Sequence, residues 1–159
     1  MSEAGMDTYL NDHLAGAASG SELAEWIRDR ADGTKLGEIM GSIAEQIEQD
    51  RQSLTDLMER MGVTRSPVKQ AAGWIAEKVG QVKFSGVASG DDVHGTFMAL
   101  ESLTLGVAGK ACLWKALKEV EDEYPPLAAT DLDSLIARAE SQRSTLERER
   151  LAASRRALG

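Results

Sequence analysis

Hydrophobic residues recur at helical spacing in four long segments of the chain, separated by short polar or glycine- and proline-containing breaks. In the second segment the apolar positions advance in alternating steps of four and three, at Leu36, Met40, Ile43, Ile47, Leu54, Leu57 and Met61. This spacing keeps side chains on one face of an α-helix. Asp50 falls within the same stripe. A carboxylate on an apolar face must be paired, protonated or bound to a metal, because an isolated buried charge is too costly.

Residues that cap and break helices predict where the four segments, A to D, begin and end. We expect helix A over residues 7–31, helix B over 34–61, helix C over 92–120 and helix D over 130–158. Gly33 is the expected left-handed residue after helix A, and helix B is expected to stop at Gly62. Thr34 and Thr130 are the expected N-caps of helices B and D. No segment shows the alternation of a β-strand, so the sequence predicts an all-α fold.

The lengths of the connections predict the topology. The A–B and C–D connections are short, so each pair should form an antiparallel hairpin. Ser66-Pro67 begins a further short helix, predicted through about residue 82, before a glycine-rich stretch. At ~1.5 Å per residue, this helix and its loop can return the chain along the bundle. We therefore predict a ferritin-like four-helix bundle with a long B–C crossover and helices B and C parallel. The alternative is a five-helix bundle in which the short helix packs beside helix B.

Four stretches of the sequence resemble a known kind of protein. They are Leu-Asn-Asp-His-Leu-Ala-Gly (10–16), Glu-Gln-Ile-Glu-Gln-Asp-Arg (45–51), Leu-Glu-Ser-Leu-Thr-Leu-Gly-Val-Ala-Gly-Lys (100–110) and Arg-Ala-Glu-Ser-Gln-Arg (138–143). Together they resemble small bacterial proteins of ferritin-like type, and the resemblance covers nearly the whole chain. It implies the same four-helix fold.

The residues needed for a ferritin-like metal site are incomplete. Such sites use a Glu from each of two helices and a Glu-x-x-His pair from each of the other two. This chain has only His13 and His94, which are preceded three residues earlier by Leu10 and Asp91. If a metal binds, with iron or manganese as the alternatives, its candidate ligands are His13, Glu45, Glu48, Asp50 and Glu101. The preferred prediction is that the protein holds no cofactor.

Internal salt bridges offer a second account of the inward-facing charges. Aligning the helices by depth at ~1.5 Å per residue gives two charged layers roughly 12 Å apart. In the first layer, Asp50 is expected to pair with Arg143, Lys110 or His13. A cation at that depth would neutralise the carboxylate as a metal ion does. The full predicted network comprises His13, Asp50, Glu101, Lys110, Arg143 and Arg150.

The second charged layer consists of Glu101 and Arg150. Glu101 lies in a segment that is otherwise nearly all apolar, small or hydroxylic. A guanidinium group can engage a carboxylate at two points, so we predict that Glu101 and Arg150 form a buried pair. This interpretation is preferred to a metal site.

Small residues on helices A and C fall at the same depth. Gly16 and Gly20 on helix A are expected at the same depth in the bundle as Gly106 and Gly109 on helix C. Because small side chains let backbones approach closely, we expect a close A–C contact at this point. The alternative is a groove for a small ligand.

Composition narrows the class of protein. The 159 residues suit one domain, 1–159, and the net charge of −8 argues against nucleic-acid binding. The single cysteine, Cys112, excludes an internal disulfide. With no long uninterrupted apolar run and no signal-peptide pattern, we expect a cytoplasmic protein without membrane contact.

No motif for catalysis or phosphate binding is recognisable, so we favour a non-enzymatic structural or interaction role. Trp26, Trp74 and Trp114 are expected to anchor packing or an interface, which could be that of a homo-oligomer. A di-iron-type protein handling iron or oxidative stress is the alternative.

Overall fold

The computed structural model of the chain describes residues 3–66 and 92–159. Over these residues the protein is helical and contains no strand, as the sequence predicts. The helices are α1 (Glu3–Arg30), α2 (Lys35–Arg60), α3 (Asp92–Glu119), the short α4 (Pro125–Ala128) and α5 (Leu132–Leu158), with a 3₁₀ turn at Glu121–Glu123. Helices A to D of the sequence correspond to α1, α2, α3 and α5. The helix predicted after Pro67, the glycine-rich stretch and Trp74 lie outside the described residues.

The first three predicted helix-end residues have the expected conformations. Gly33 and Gly62 adopt positive φ angles of 75° and 72°, which a residue without a Cβ adopts at little cost. The hydroxyl of Thr34 accepts a hydrogen bond from the backbone N–H of Gly37 at 3.2 Å, which caps the first turn of α2. These local signals fix the tight turn between α1 and α2.

The predicted cap of the last helix is wrong by one residue. Asp131, not Thr130, caps α5, because its carboxylate accepts the backbone N–H of Ser134 at 3.0 Å. The hydroxyl of Thr130 instead donates to the carbonyl of Pro126 at 2.7 Å. The side chain of Thr130 therefore bonds to the end of the short helix α4, which the sequence analysis did not predict.

Hydrogen bonds between helices give their relative directions. On α2 and α5, Asp50 contacts Arg138 while Arg60, further along α2, contacts Thr130, just before α5 begins. Residue numbers thus rise along α2 as they fall along α5, so these helices run in opposite directions.

The same test applies to α3 and α5. Glu101 contacts Arg150, whereas Lys118 contacts Asp133, so these two helices are also antiparallel. Since α2 and α3 both oppose α5, α2 and α3 run in the same direction. The packing of α1 against α2 and α3, and of α5 against α3 and α2, gives a bundle of four long helices.

The apolar core consists of two clusters separated along the bundle. One cluster includes Ile47 of α2, Val107 of α3 and Leu146 of α5. The other resumes along the same helices with residues that include Leu54 and Ala139. Burying a side chain of Leu or Ile size contributes roughly 1.5–3 kcal/mol, so these clusters supply most of the driving force for packing. The gap between them is filled by polar side chains.

Helix α3 is the most apolar of the long helices. By length and composition it is the one described helix that could cross a membrane, a property shared by core helices of soluble proteins. In this bundle it packs against α1 and α5, and it carries Glu101 and Lys110. These contacts bury 39% of its most apolar stretch.

Candidate functional site: a polar centre and an adjoining cavity

The gap between the two apolar clusters is centred on Asp50 of α2, whose side chain is only 1% exposed. One carboxylate oxygen, Oδ1, accepts a hydrogen bond from Nε of Arg138 at 2.6 Å and also contacts the terminal nitrogen Nη2 of that guanidinium. The other oxygen, Oδ2, accepts from Nζ of Lys110 at 2.5 Å and from the amide nitrogen of Gln142 at 3.0 Å. The carboxylate is thus held by side chains from both α3 and α5.

Gln142 links the members of this centre to each other. Its side-chain oxygen accepts from Nζ of Lys110 at 2.5 Å, and its amide nitrogen also donates to Oε1 of Gln46 at 3.2 Å. The amide therefore uses its oxygen and both of its N–H groups, which a buried polar group requires. One carboxylate faces two cations, so the centre carries a surplus of one positive charge.

Burial lowers the pKa of the Lys110 ammonium, because removal from water disfavours its charged form. The nearby carboxylate of Asp50 opposes this effect, and the positive charge of Arg138 adds to it. Arg138 is more accessible than Lys110, with side-chain exposures of 32% and 14%. Lys110 is therefore the cation that depends most on Asp50.

The structure brings one of the three expected cations, Lys110, to Asp50. It does not bring Arg143, which is exposed on α5 and pairs with Glu140 at 2.9 Å. The expected Asp50–Arg143 pair is thus wrong, because adjacent residues on a helix point about 100° apart. Gln142 faces the centre and Arg143 does not. Arg138 lies four residues before Gln142 on the same face of α5, and it is this arginine that reaches Asp50.

The partners of Asp50 expected from the sequence included neither Arg138 nor Gln142. The signal was available in the spacing. Residues four apart share a helical face, so the inward Gln142 indicates Arg138 as well. Following the inner face of helix D back by one turn from Gln142 would have identified Arg138 as a cation near Asp50.

His13 lies beside the centre rather than in it. Its ring is half-buried at the edge of a cavity and makes an edge-to-face contact with Tyr9, with ring centroids 4.7 Å apart. Burial lowers the pKa of His13, with the charge of Asp12 opposing the shift. The neutral imidazole is therefore favoured in the folded protein.

The second predicted layer forms, but it is not buried. Nη1 of Arg150 donates to Glu101 at 3.1 Å, and the two side chains are 22% and 41% exposed. Glu147, three residues earlier on α5, also binds Arg150 through both carboxylate oxygens, at 2.7 and 2.8 Å. The prediction of a buried pair is wrong because Glu101 lies toward the outer side of α3, one turn before Leu105, which is 52% exposed.

The candidate metal ligands do not come together. Glu45 and Glu48 are exposed on α2, and Glu48 accepts a hydrogen bond from Ser21 at 2.7 Å. Within residues 3–66 and 92–159, no three His, Cys, Asp or Glu side chains are grouped so as to hold a metal ion. In the part of the chain described, the inward carboxylate of Asp50 meets nitrogen donors instead.

A cavity of about 310 Å³ opens beside the polar centre, between α1 and α3 and above α2. Gly20, Gly106 and Gly109 lie in its walls, and a Cβ atom added to any of them would meet nothing within 4 Å. The close A–C contact expected at these glycines is therefore wrong, and the alternative of a groove describes the structure. Since a glycine within a helix costs about 1 kcal/mol relative to alanine, these residues keep space open at the expense of helix stability.

The same cavity is lined by Trp114 of α3, one helical turn after Lys110. Trp114 is 1% exposed, and its Nε1–H group is buried without a hydrogen-bond acceptor among the described residues. Tryptophan packs as the sequence analysis expects, but the unused donor could not be foreseen, because it depends on what lies opposite the ring.

Comparison of the chain with protein-family models, with curated proteins and with solved structures gives no match. The polar centre and the cavity are therefore the features from which a function can be inferred.

Proposed function

We propose that this protein is a non-enzymatic, ferritin-like helical bundle with a structural or interaction role, in which salt bridges take the place of a metal centre. The observation that carries the proposal is the pair of salt bridges that Asp50 forms with Lys110 and Arg138. An ammonium and a guanidinium neutralise the inward carboxylate, as a metal ion would. They also repel a third cation such as a metal ion, because a metal site requires ligands free of bound protons and of competing positive charge.

Two features support the ferritin-like topology. Helices α2 and α3 run in the same direction, as a crossover topology requires. Ser66, the last described residue before residues 67–91, lies near the start of α1, where its backbone N–H donates to Asn11 at 2.8 Å. At ~3.3 Å per extended residue, residues 67–91 are ample to reach Asp92 from there, since a helix such as α2 is ~39 Å long. A B–C crossover is the simplest connection.

The proposed interaction role is supported by exposed apolar side chains on the surface, not by the polar centre around Asp50. Leu105 on α3 and Leu151 on α5 are both about half exposed, and such side chains contribute to contacts between subunits when they are grouped. We propose a cytoplasmic protein that can form homo-oligomers. Light scattering of the purified chain measures the oligomeric state, and a monomer at all concentrations would remove this part of the proposal.

Elemental analysis of protein purified without chelators tests the absence of a metal. We expect iron, manganese and zinc far below one ion per chain, and no rise in melting temperature when Fe²⁺ or Mn²⁺ is added, since a ligand that binds only the folded state would raise it. Stoichiometric metal that is lost on Asp50→Asn but kept on Asp56→Asn would support the alternative, a di-iron-type protein. Asp56 is the matched control because it is an exposed aspartate on the same helix and is not one of the candidate ligands.

A further inference from the structure

The surface around the cavity is unusually poor in charge. It is bordered by residues 13–21 of α1 and residues 102–109 of α3, which include no Asp, Glu, Lys or Arg; we call this surface the α1–α3 groove. Surface helices usually carry charged residues on the face that meets water. Yet Leu105 in the groove is 52% exposed, and 39% of the most apolar stretch of α3 is buried. The groove is therefore an apolar face without a partner in the part of the chain that the structure describes.

Four charged residues also line the cavity within this groove, and their charges are already accounted for. Asp50 and Lys110 bond to each other in the polar centre. Arg51 contacts Glu48 at 3.4 Å, and Asp12 is exposed to water. What the groove lacks is therefore apolar contact, not a counter-charge.

The described residues on either side of residues 67–91 lie at the two helices that border the groove. The backbone N–H of Ser66 donates to the side chain of Asn11 at 2.8 Å, and Asn11 donates to the carbonyl of Thr64 at 3.1 Å. Asn11 directly precedes the cavity-lining residues of α1. On the other side, Asp92 is the first residue of α3.

These two attachment points lie at opposite ends of the groove. Ser21 of α1 donates to Glu48 of α2. Earlier in α1, Asn11 donates to Thr64, which follows α2, so α1 and α2 are antiparallel. Because α3 runs with α2, it also opposes α1, and its first residue, Asp92, lies toward the end of α1. The shortest course for the intervening chain therefore follows the groove, parallel to α1.

Residues 67–91 are long enough for this course. At ~1.5 Å per helical residue, the helix predicted over residues 67–82 covers ~24 Å, and at ~3.3 Å per extended residue the rest covers up to ~30 Å. The part of α1 that follows Asn11 is ~29 Å long by the same measure. The segment can thus pass along the whole groove.

The sequence of this segment supplies an apolar face of the required kind. Apolar residues recur in steps of three and four at Val68, Ala71, Ile75, Val79 and Val82. This spacing puts them on one face of a helix. Since Ser66 is held at Asn11, a helix parallel to α1 brings Ile75, nine residues further, to the depth of Gly20, which lines the cavity.

We propose that the α1–α3 groove is the docking surface for residues 67–91 of the same chain, with the apolar stripe around Ile75 packed into the cavity and against Leu105. This inference rests on the proposed B–C crossover and deepens it, because it gives the crossover a place on the bundle. The cavity is then filled by side chains of the protein itself, and Leu105 makes a contact within the chain rather than between subunits.

Methyl NOE spectroscopy of the full chain, labelled at Ile, Leu and Val, tests the contact directly. We expect NOEs from the δ1 methyl group of Ile75 to methyl groups of Leu103, Leu105 or Val107. An isotope-filtered experiment on a mixture of labelled and unlabelled chains distinguishes contacts within a chain from contacts between chains. We expect no NOE between chains at these residues.

Truncation of two equally exposed leucines gives an independent readout, measured where light scattering shows a monomer. Leu105→Ala should lower the melting temperature by at least about 4 °C, as expected for a leucine in a packed contact. Leu151→Ala on α5 is the matched control, since Leu151 is 49% exposed and lies outside the groove, and it should shift the melting temperature by less than about 2 °C. Ile75→Ala should resemble Leu105→Ala, whereas Glu77→Ala, on the opposite face of the predicted helix, should resemble the control.

Three results would overturn the proposal. The absence of NOEs from Ile75 to the cavity would place residues 67–91 elsewhere. Equally small effects of Leu105→Ala and Leu151→Ala would show a groove that is open to water, as a small-molecule site requires. NOEs between chains at Leu105 would assign the groove to a second copy. None of these experiments measures metal content or the directions of α2 and α3, so this inference can fail while the proposed bundle stands.

Discussion

Replacing Asp50 by asparagine should destabilise the protein more than any other single change in the polar centre. Asparagine keeps one oxygen but presents an NH₂ group to a cation that now lacks its counter-charge. Removing one member of a buried ion pair typically costs 3–5 kcal/mol. Arg138, at 32% exposure, can turn toward water, whereas Lys110, at 14%, cannot do so as easily. We therefore expect the lower end, about 3 kcal/mol, or a fall in melting temperature of about 6–12 °C.

Urea denaturation of the wild type and three variants measures this effect. Lys110→Met should cost less than Asp50→Asn, because Asp50 then keeps Arg138 and Gln142 as donors. Glu45→Gln, an exposed change on the same helix, should shift the free energy of unfolding by less than about 0.5 kcal/mol. The reasoning fails if Asp50→Asn is no more harmful than Glu45→Gln, or if Lys110→Met is clearly the worst of the three.

Three further predictions concern the surface pair, a helix cap and a histidine. Arg150→Leu should lower the free energy of unfolding by less than about 1 kcal/mol, because the pair with Glu101 is largely solvated; a loss of several kcal/mol in urea denaturation would mean that the pair is buried after all. Thr34→Ala should cost about 1 kcal/mol through loss of the cap of α2, and unchanged melting would rule that cap out as a source of stability. Since burial lowers the pKa of His13, the unfolded chain binds its proton more tightly, so stability is fully present above about pH 6.5 and declines as the pH falls below it. Melting temperatures of wild type and His13→Gln between about pH 7 and about pH 5 should show the smaller decline in the variant, and parallel curves would contradict this.

Much of the fold was predictable because it depends on short-range patterns. The stripe of α2 places Asp50 inside, and in the structure it is buried, as are Met40, Ile47 and Leu54 of the same stripe. Gly33 marked the turn after α1 because a left-handed residue there favours glycine. Each of these signals involves residues within one or two turns of each other.

The pairing of side chains across the bundle was less predictable, because it depends on the rotation of each helix as well as on depth. Arg143 was expected at Asp50 from its depth and from a place on the inner stripe of helix D, yet a difference of one residue turns a side chain about 100° from the centre. Glu101 likewise lies at the depth of Arg150, but toward solvent. Depth can be read from residue number, whereas rotation depends on which neighbours a helix packs against.

The glycines of α1 and α3 illustrate a different limit. A small residue in a helix is compatible with a close contact and with an empty space, and the sequence pattern is the same for both. Only the surroundings of the missing Cβ distinguish them, and at Gly20, Gly106 and Gly109 the space is open. The prediction of a tight A–C contact failed at these glycines for this reason; the open space agrees with the alternative of a groove, and its use by a small ligand stays a prediction.

Lys110 connects the two parts of the site. Its ammonium balances Asp50 inside the bundle and also lines the cavity, so a change at either place affects the other. Asp50→Asn would leave that ammonium without its counter-charge at the edge of the cavity, so a single change in the polar centre should both destabilise the bundle and alter the polarity of the cavity wall. The ion pair therefore sets the character of that wall as well as contributing to the stability of the bundle.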